Sequence, residues 1–292
     1  MILQSLYEYY RRADELPREG WVRRGVDYVV VLDGRGVCVG IELIAEPMNG
    51  RLVSKEAVLP AIGKQALKHT NSGQDANLLW DNASFVLGRG NKGTGKLNSF
   101  VQTIKDWLGD SRIPEIDAVL KFCASLQAHP DKTPSLLAEF HVADEFATRD
   151  PILMFRMVDA IEPVHDLRAV RDAFEGKYFS RRDSAGVRGN CLVTGDADVP
   201  IAKNESVIKG VWKAQSSGAN IISFNKRSFE SYGKTGRNGE NAPVSERASF
   251  AYVTALNHLL ASKQRVQVGD SSTVFWADRA HDFESEIGRA HV

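Results

Sequence analysis

A chain of 292 residues with 43% hydrophobic and 25% charged content can bury a sizeable core, and its length suggests two domains. Its 37 Lys and Arg residues balance 37 Asp and Glu, so no global field of one sign marks a polyanion partner, and nucleic-acid contact would need locally segregated charge. Three well-separated cysteines exclude a disulfide scaffold and fit a reducing cytoplasm, and no apolar run approaches membrane-spanning length.

The opening MILQSLYEYYRRADEL is too polar for a secretory signal. It spaces Ile2, Leu3, Leu6, Tyr9 and Tyr10 as an amphipathic helix ended before Pro17. YVVVL (28–32) and VCVGIELI (37–44) flank Asp33-Gly34-Arg35-Gly36, a strong hairpin signal, and the run 51–59 extends the meander. A polar, turn-forming loop follows, with Thr70, Asn71, Ser72, Gly73, Asn77, Asp81 and Asn82 punctuated by Leu78, Leu79 and Trp80. Asn side chains there can read base edges or brace the loop on its own backbone.

Gly90-Asn-Lys-Gly-Thr-Gly-Lys96 matches the cradle of a phosphate loop, but Leu97 stands where a magnesium-ligating Ser or Thr belongs. Helical spacing predicts helices over 99–108, 114–126, 134–146 and 166–179, with a buried strand at 151–158. From Val187 the pattern turns to short strands and loops, including a strand NIISF at 220–224. Ser245 caps a helix over 245–260, and 271–277 is a last strand. The predicted fold is α+β: residues 1–98 form an N-terminal helix, small antiparallel sheet and loop, 99–180 a mainly helical region, and 181–285 a second α+β region.

The segment most suited to gripping a polyanion is 209–225. It gathers Lys209, Lys213, Gln215, Ser216, Ser217, Asn220 and Asn225 around Gly218, with the flat faces of Trp212 and Phe224. Between residues 178 and 240 ten basic residues face six acidic ones, a local excess of four. Acid–base and metal chemistry are thinly represented. The seven histidines form no HExxH or HxH pair, and Asp196 with Asp198 is a pair of acids lacking further ligands. No catalytic constellation, metal site or cofactor is therefore expected. The alternatives are a phosphate-loop nucleotide-binding enzyme on Gly90–Lys96 or a metal-dependent nuclease on Asp196 and Asp198.

Ordered motifs then point to a family. CLVTG (191–195), PIA (200–202), IKGVWKAQSSGANIISFN (208–225), SFESYGK (228–234), NAPVSE (241–246), FAYVTALNHLL (250–260) and VFWA (274–277) follow one another, after MILQSLYEYY and TNSGQDANLLWDNASFVLG (70–88). Together they closely resemble the large subunit of the subtype I-C CRISPR surveillance complex, Cascade, of the Csd family. The resemblance implies a cytoplasmic, non-enzymatic subunit that joins CRISPR RNA-containing Cascade subunits. Such a subunit recognises the protospacer-adjacent motif on double-stranded target DNA, helps open the duplex and holds the displaced strand. It also recruits a helicase–nuclease in trans, without a membrane. Carried onto this sequence, Lys209 and Lys213 are the expected phosphate contacts, and Asn71, Asn77 or Gln215 the base-edge reader. Asn204-Glu205-Ser206 departs from the family's usual His-Pro step. The family's C-terminal helical bundle is missing, and 286–292 reads as run-on sequence, so the chain is expected to be a truncated fragment.

Overall fold

In the computed structural model, residues 2–48, 50–62, 75–184, 186–215, 218–224, 226–234 and 238–281 are described. The fold is α+β, in two compact units: residues 20–180 form one, and residues 1–19 join 181–292 in the other. Among the described residues no helix is long and apolar enough to cross a membrane.

The unit formed by residues 20–180 is built on a four-stranded sheet. Its order is β3 (Cys38–Leu43), β2 (Tyr28–Leu32), β8 (Ile152–Met157), β7 (Trp80–Asn82). The Asp-Gly turn folds β2 against β3 as expected: the Asp33 carboxylate accepts the N–H groups of Arg35 and Val37 at 2.9 and 2.8 Å. The central pair β2 and β8 run parallel with Val30 opposite Phe155. Both faces of this pair are covered, which is why YVVVL reads as an unbroken apolar run and not as an alternation. On one face Tyr28, Val30 and Phe155 pack on helices α3 (Gly93–Leu108) and α4 (Pro114–Ala128) through Phe100, Ile104 and Phe122. On the other, Val29, Val31 and Met154 meet Val26 of β1 (Trp21–Val26) and Leu59 of β6 (Lys55–Pro60).

Four predicted elements take a different form. The run 51–59 is two strands, because β6 pairs antiparallel with β1 while β5 (Arg51–Val53) closes a small ribbon with β4 (Glu46–Met48). The predicted helix over 134–146 is two, α5 (Lys132–Glu139) and α6 (Ala143–Thr148), since His141 sits between them at φ +57°. Helix α3 begins at Gly93, inside the glycine-rich loop, six residues ahead of the expected start. Residues 220–224 are irregular, for the carboxylate of Glu205 takes the backbone N–H groups that a strand partner would bind. Strand β8 and helix α7 (Arg168–Ser184) occupy the stretches where sequence places a strand and a helix.

In the other unit, helix α1 (Ile2–Arg12) lays Leu6 and Tyr9 against α8 (Glu246–Ala261). Tyr10 meets Phe250 edge to face, 5.9 Å between centroids. Ser245 caps α8 through the N–H of Ala248 at 3.2 Å, as its sequence predicts. Cys191, buried, accepts the N–H of Ser245 at 3.2 Å and belongs to this core. A short ribbon of β9 (Arg188–Gly189) with β10 (Val199–Pro200) and a hairpin of β11 (Arg265–Val268) with β12 (Ser271–Val274) complete the unit.

Candidate nucleic-acid interface

The segment 205–222 is held at its base by an isolated bridge. Ile208, buried in the core beside α8, exchanges backbone hydrogen bonds with Ala219 at 2.9 and 2.8 Å. Asn257, projecting from α8, grips the strand on both sides of Ile208: its Oδ1 accepts the N–H of Lys209 at 2.8 Å and its Nδ2 donates to Val207 O at 3.0 Å. Gly218 closes the base from the other side at φ +104°, where a Cβ would lie 1.9 Å from Val207 Cγ1 and 2.9 Å from Ile208 O. Only glycine fits both that backbone and that approach.

Beyond the bridge the chain turns outward. Ala214 N–H bonds Val211 O at 3.2 Å, and Lys213 at the turn adopts φ +57°. Trp212 donates its backbone N–H to Ser272 Oγ at 2.9 Å, and the residue is 49% exposed. Lys213 Nζ meets Asp270 at 2.8 Å with two thirds of its side chain in solvent. Gln215 is exposed, and its carbonyl accepts the N–H of Gly218 at 2.8 Å. Trp212, Lys213 and Gln215 thus share one outward turn: a flat face, a cation and an amide, the three group types that bind single strands and phosphates.

Glu205 supports the same segment from within its unit. One carboxylate oxygen accepts the N–H groups of Ile221 and Ile222 at 2.6 and 3.2 Å, and the other accepts the hydroxyl of Tyr252 on α8. Burial, together with this carboxylate, pushes the Tyr252 hydroxyl well above its usual pKa. The Asn220 amide donates to the carbonyls of Glu205 and Ser206 at 3.3 Å each, so it braces the loop on its own backbone. Ser216, Ser217 and Asn225 lie outside the described residues.

Of the loop singled out in the other unit, Thr70, Asn71, Ser72 and Gly73 also lie outside the described residues. Asn77 and Asn82 are half-buried and close a turn on Asp81, whose two carboxylate oxygens accept their backbone N–H groups at 2.8 Å each. The Asn82 amide donates to Asp150 O at 2.6 Å, and Asn77 Oδ1 is buried with no hydrogen-bond partner. Burial raises Asp81 from the ordinary carboxylate range to about 6, against the two N–H groups that lower it. Lys96 turns back toward this cluster, donating to Ser84 Oγ at 2.9 Å with its ammonium 4.9 Å above the Phe85 ring. Ser84 in turn donates its N–H and hydroxyl to the Asp150 carboxylate. The lysine of the glycine-rich match therefore serves its own unit's packing. Asp196 accepts the Thr194 hydroxyl and Asp198 pairs with Arg188 at 3.1 Å. Among the described residues no three His, Cys, Asp or Glu side chains gather as a metal site would need.

Sequence reasoning met Glu205 only as part of the departure at 204–206 and passed over Asn257, Asp270 and Ser272; these four are the groups that place the outward turn. Only Asn257 carries a local signal: asparagine is a poor helix former, yet it stands among the apolar residues of α8. A family model described as CRISPR-associated protein (Cas_Csd1) matches residues 5–291, reaching into the terminal stretch that reads as run-on. No curated protein matches the chain.

Proposed function

The chain belongs to the Csd1 family of CRISPR-associated proteins, subunits of Cascade-type complexes, and on that premise we propose that it is the DNA-binding large subunit of a type I-C complex. In that role it recognises the protospacer-adjacent motif, assists R-loop formation and recruits the helicase–nuclease, and it breaks no bond itself. Guide pairing supplies sequence discrimination in such complexes, so the protein needs only a short base-edge contact and a grip on phosphates. The observation that carries the assignment is the family match over 5–291. The turn presenting Trp212, Lys213 and Gln215 supplies chemistry of the required kind.

The test is reconstitution with the backbone subunits and guide RNA, followed by DNA binding with varied flanking motifs and salt. Lys213→Ala should weaken binding to all sequences alike and reduce the salt slope by about one. Gln215→Ala should instead change motif preference. Target DNA should stay intact until the helicase–nuclease is added. A salt slope unmoved by Lys213→Ala together with unaltered motif preference in Gln215→Ala would count against the segment. Wild-type assemblies whose DNA affinity does not need this subunit would count against the role.

A further inference from the structure

We infer that Glu205, an acid that ought to repel a polyanion, strengthens nucleic-acid binding by holding the outward turn in its binding conformation; this rests on the DNA-binding assignment above. The geometry is specific. The carboxylate joins three donors from two directions: the N–H groups of Ile221 and Ile222 on the returning arm, and the hydroxyl of Tyr252 on α8. Asn257 does the same for the outgoing arm, bonding Lys209 N–H and Val207 O. Both arms of the segment are thereby tied to one helix, α8, through the half-buried Asn257 and through Tyr252, which is 1% exposed. The outward turn lies between those two attachments. The Ser272 hydroxyl on the Trp212 N–H and the bridge between Ile208 and Ala219 also pin its backbone.

The energetic consequence follows from ordering. A loop that is loose before binding must lose its conformational freedom in the complex, and that loss subtracts from affinity. With the arms fixed beforehand, Trp212, Lys213 and Gln215 meet a ligand already arranged. Glu205 has three acceptor contacts inside the protein, so its role is that of a positioning residue.

Charge and positioning predict opposite signs, which makes the proposal testable. If Glu205 acted only through its charge, removing the acid would tighten binding to DNA. Positioning predicts that Glu205→Ala weakens binding about tenfold in the assembled complex. The salt slope should stay intact, because the same phosphates are contacted once bound. Glu205→Gln keeps an acceptor for Ile221 and Ile222 and drops the charge, so it should bind as well as the wild type or better. Amide hydrogen exchange provides the second readout: Glu205→Ala should speed exchange at Lys209, Ile221 and Ile222 while α8 amides keep their protection. Unchanged exchange, or binding by Glu205→Ala at or above the wild-type level, overturns the inference. Faster exchange in a complex whose wild type shows no need of this subunit for DNA would uphold the positioning role and overturn the DNA-binding assignment instead.

Discussion

At Lys213 the ammonium already has an anion, Asp270, 2.8 Å away and well exposed. A DNA phosphate would have to displace that carboxylate. Exposed ion pairs are weak and screened by salt, so the exchange is easy but not without cost. Asp270→Asn is accordingly expected to raise DNA affinity a few-fold at low ionic strength, with the gain fading as salt rises. Adding Lys213→Ala to the same chain should abolish the gain, and a gain that survives the double substitution would place Asp270's effect elsewhere.

Two buried residues in the unit formed by 20–180 set opposing pH dependences. Burial raises Asp81 to about 6, so the folded chain holds a proton that the unfolded chain loses near pH 4, and stability falls as pH climbs through that interval. His165, 2% exposed with Nδ1 lacking a partner, is held down to about 4 by burial. Here the unfolded chain takes up a proton near 6.5 that the folded chain refuses, so stability falls as pH drops toward 4. Each contribution is on the order of 3 kcal/mol, and between about pH 4 and 6 they largely offset each other. His165→Leu should expose the Asp81 contribution, making the variant gain stability relative to wild type on acidification. Urea unfolding across pH 4 to 7 measures this, and parallel curves for the two proteins would refute it.

Among elements, the glycine-rich start of α3 separates packing from phosphate binding. Gly93 sits against the backbone of Gly88, where a Cβ would lie 1.9 Å from the carbonyl oxygen, whereas Gly95 has open space around it. Gly93→Ala should therefore cost about 2 kcal/mol or more, since backbone must move. Gly95→Ala should stabilise by about 0.5 kcal/mol, because alanine is the better helix former. Thermal melts of the two variants distinguish these outcomes, and loss of nucleotide binding in Gly95→Ala would revive the phosphate-loop alternative. The Gly218 turn behaves like Gly93: the positive φ and the crowding by Val207 both forbid a side chain. The N-cap of α8 is a milder case, with Ser245→Ala expected to cost about 1 kcal/mol.

At the scale of the whole chain, one unit is continuous in sequence and the other is not. Residues 20–180 hold their own two-sided core, with the sheet covered by α3 and α4 on one face and by β1 and β6 on the other. Expressed alone, this stretch is expected to melt cooperatively. Residues 181–292 differ, because Leu6, Tyr7 and Tyr9 of α1 fill the core beside α8. Removing residues 1–19 should leave hydrogen-exchange protection in 20–180 intact and strip it from α8, and equal protection in both constituents would show that α1 is dispensable.

Local chemistry determined much of this protein without tertiary help. The Asp33-Gly34 hairpin, the Ser245 cap, the buried run of β8 and the helices α4, α7 and α8 depend on periodicity, turn residues and capping, which act within a few residues. The ordered motifs that resemble the family were also legible along the chain. What only the tertiary structure decided are pairings between distant stretches: β2 beside β8 and not only β3, β6 on β1, and α1 completing the core of α8. The outward turn belongs with these. Its residue types were readable, but its placement depends on Glu205 and Asn257, whose side-chain partners lie 16 to 50 residues away along the chain. Hydrogen bonds of that span leave no period in a sequence, because each is fixed by where the fold brings two segments and not by their spacing.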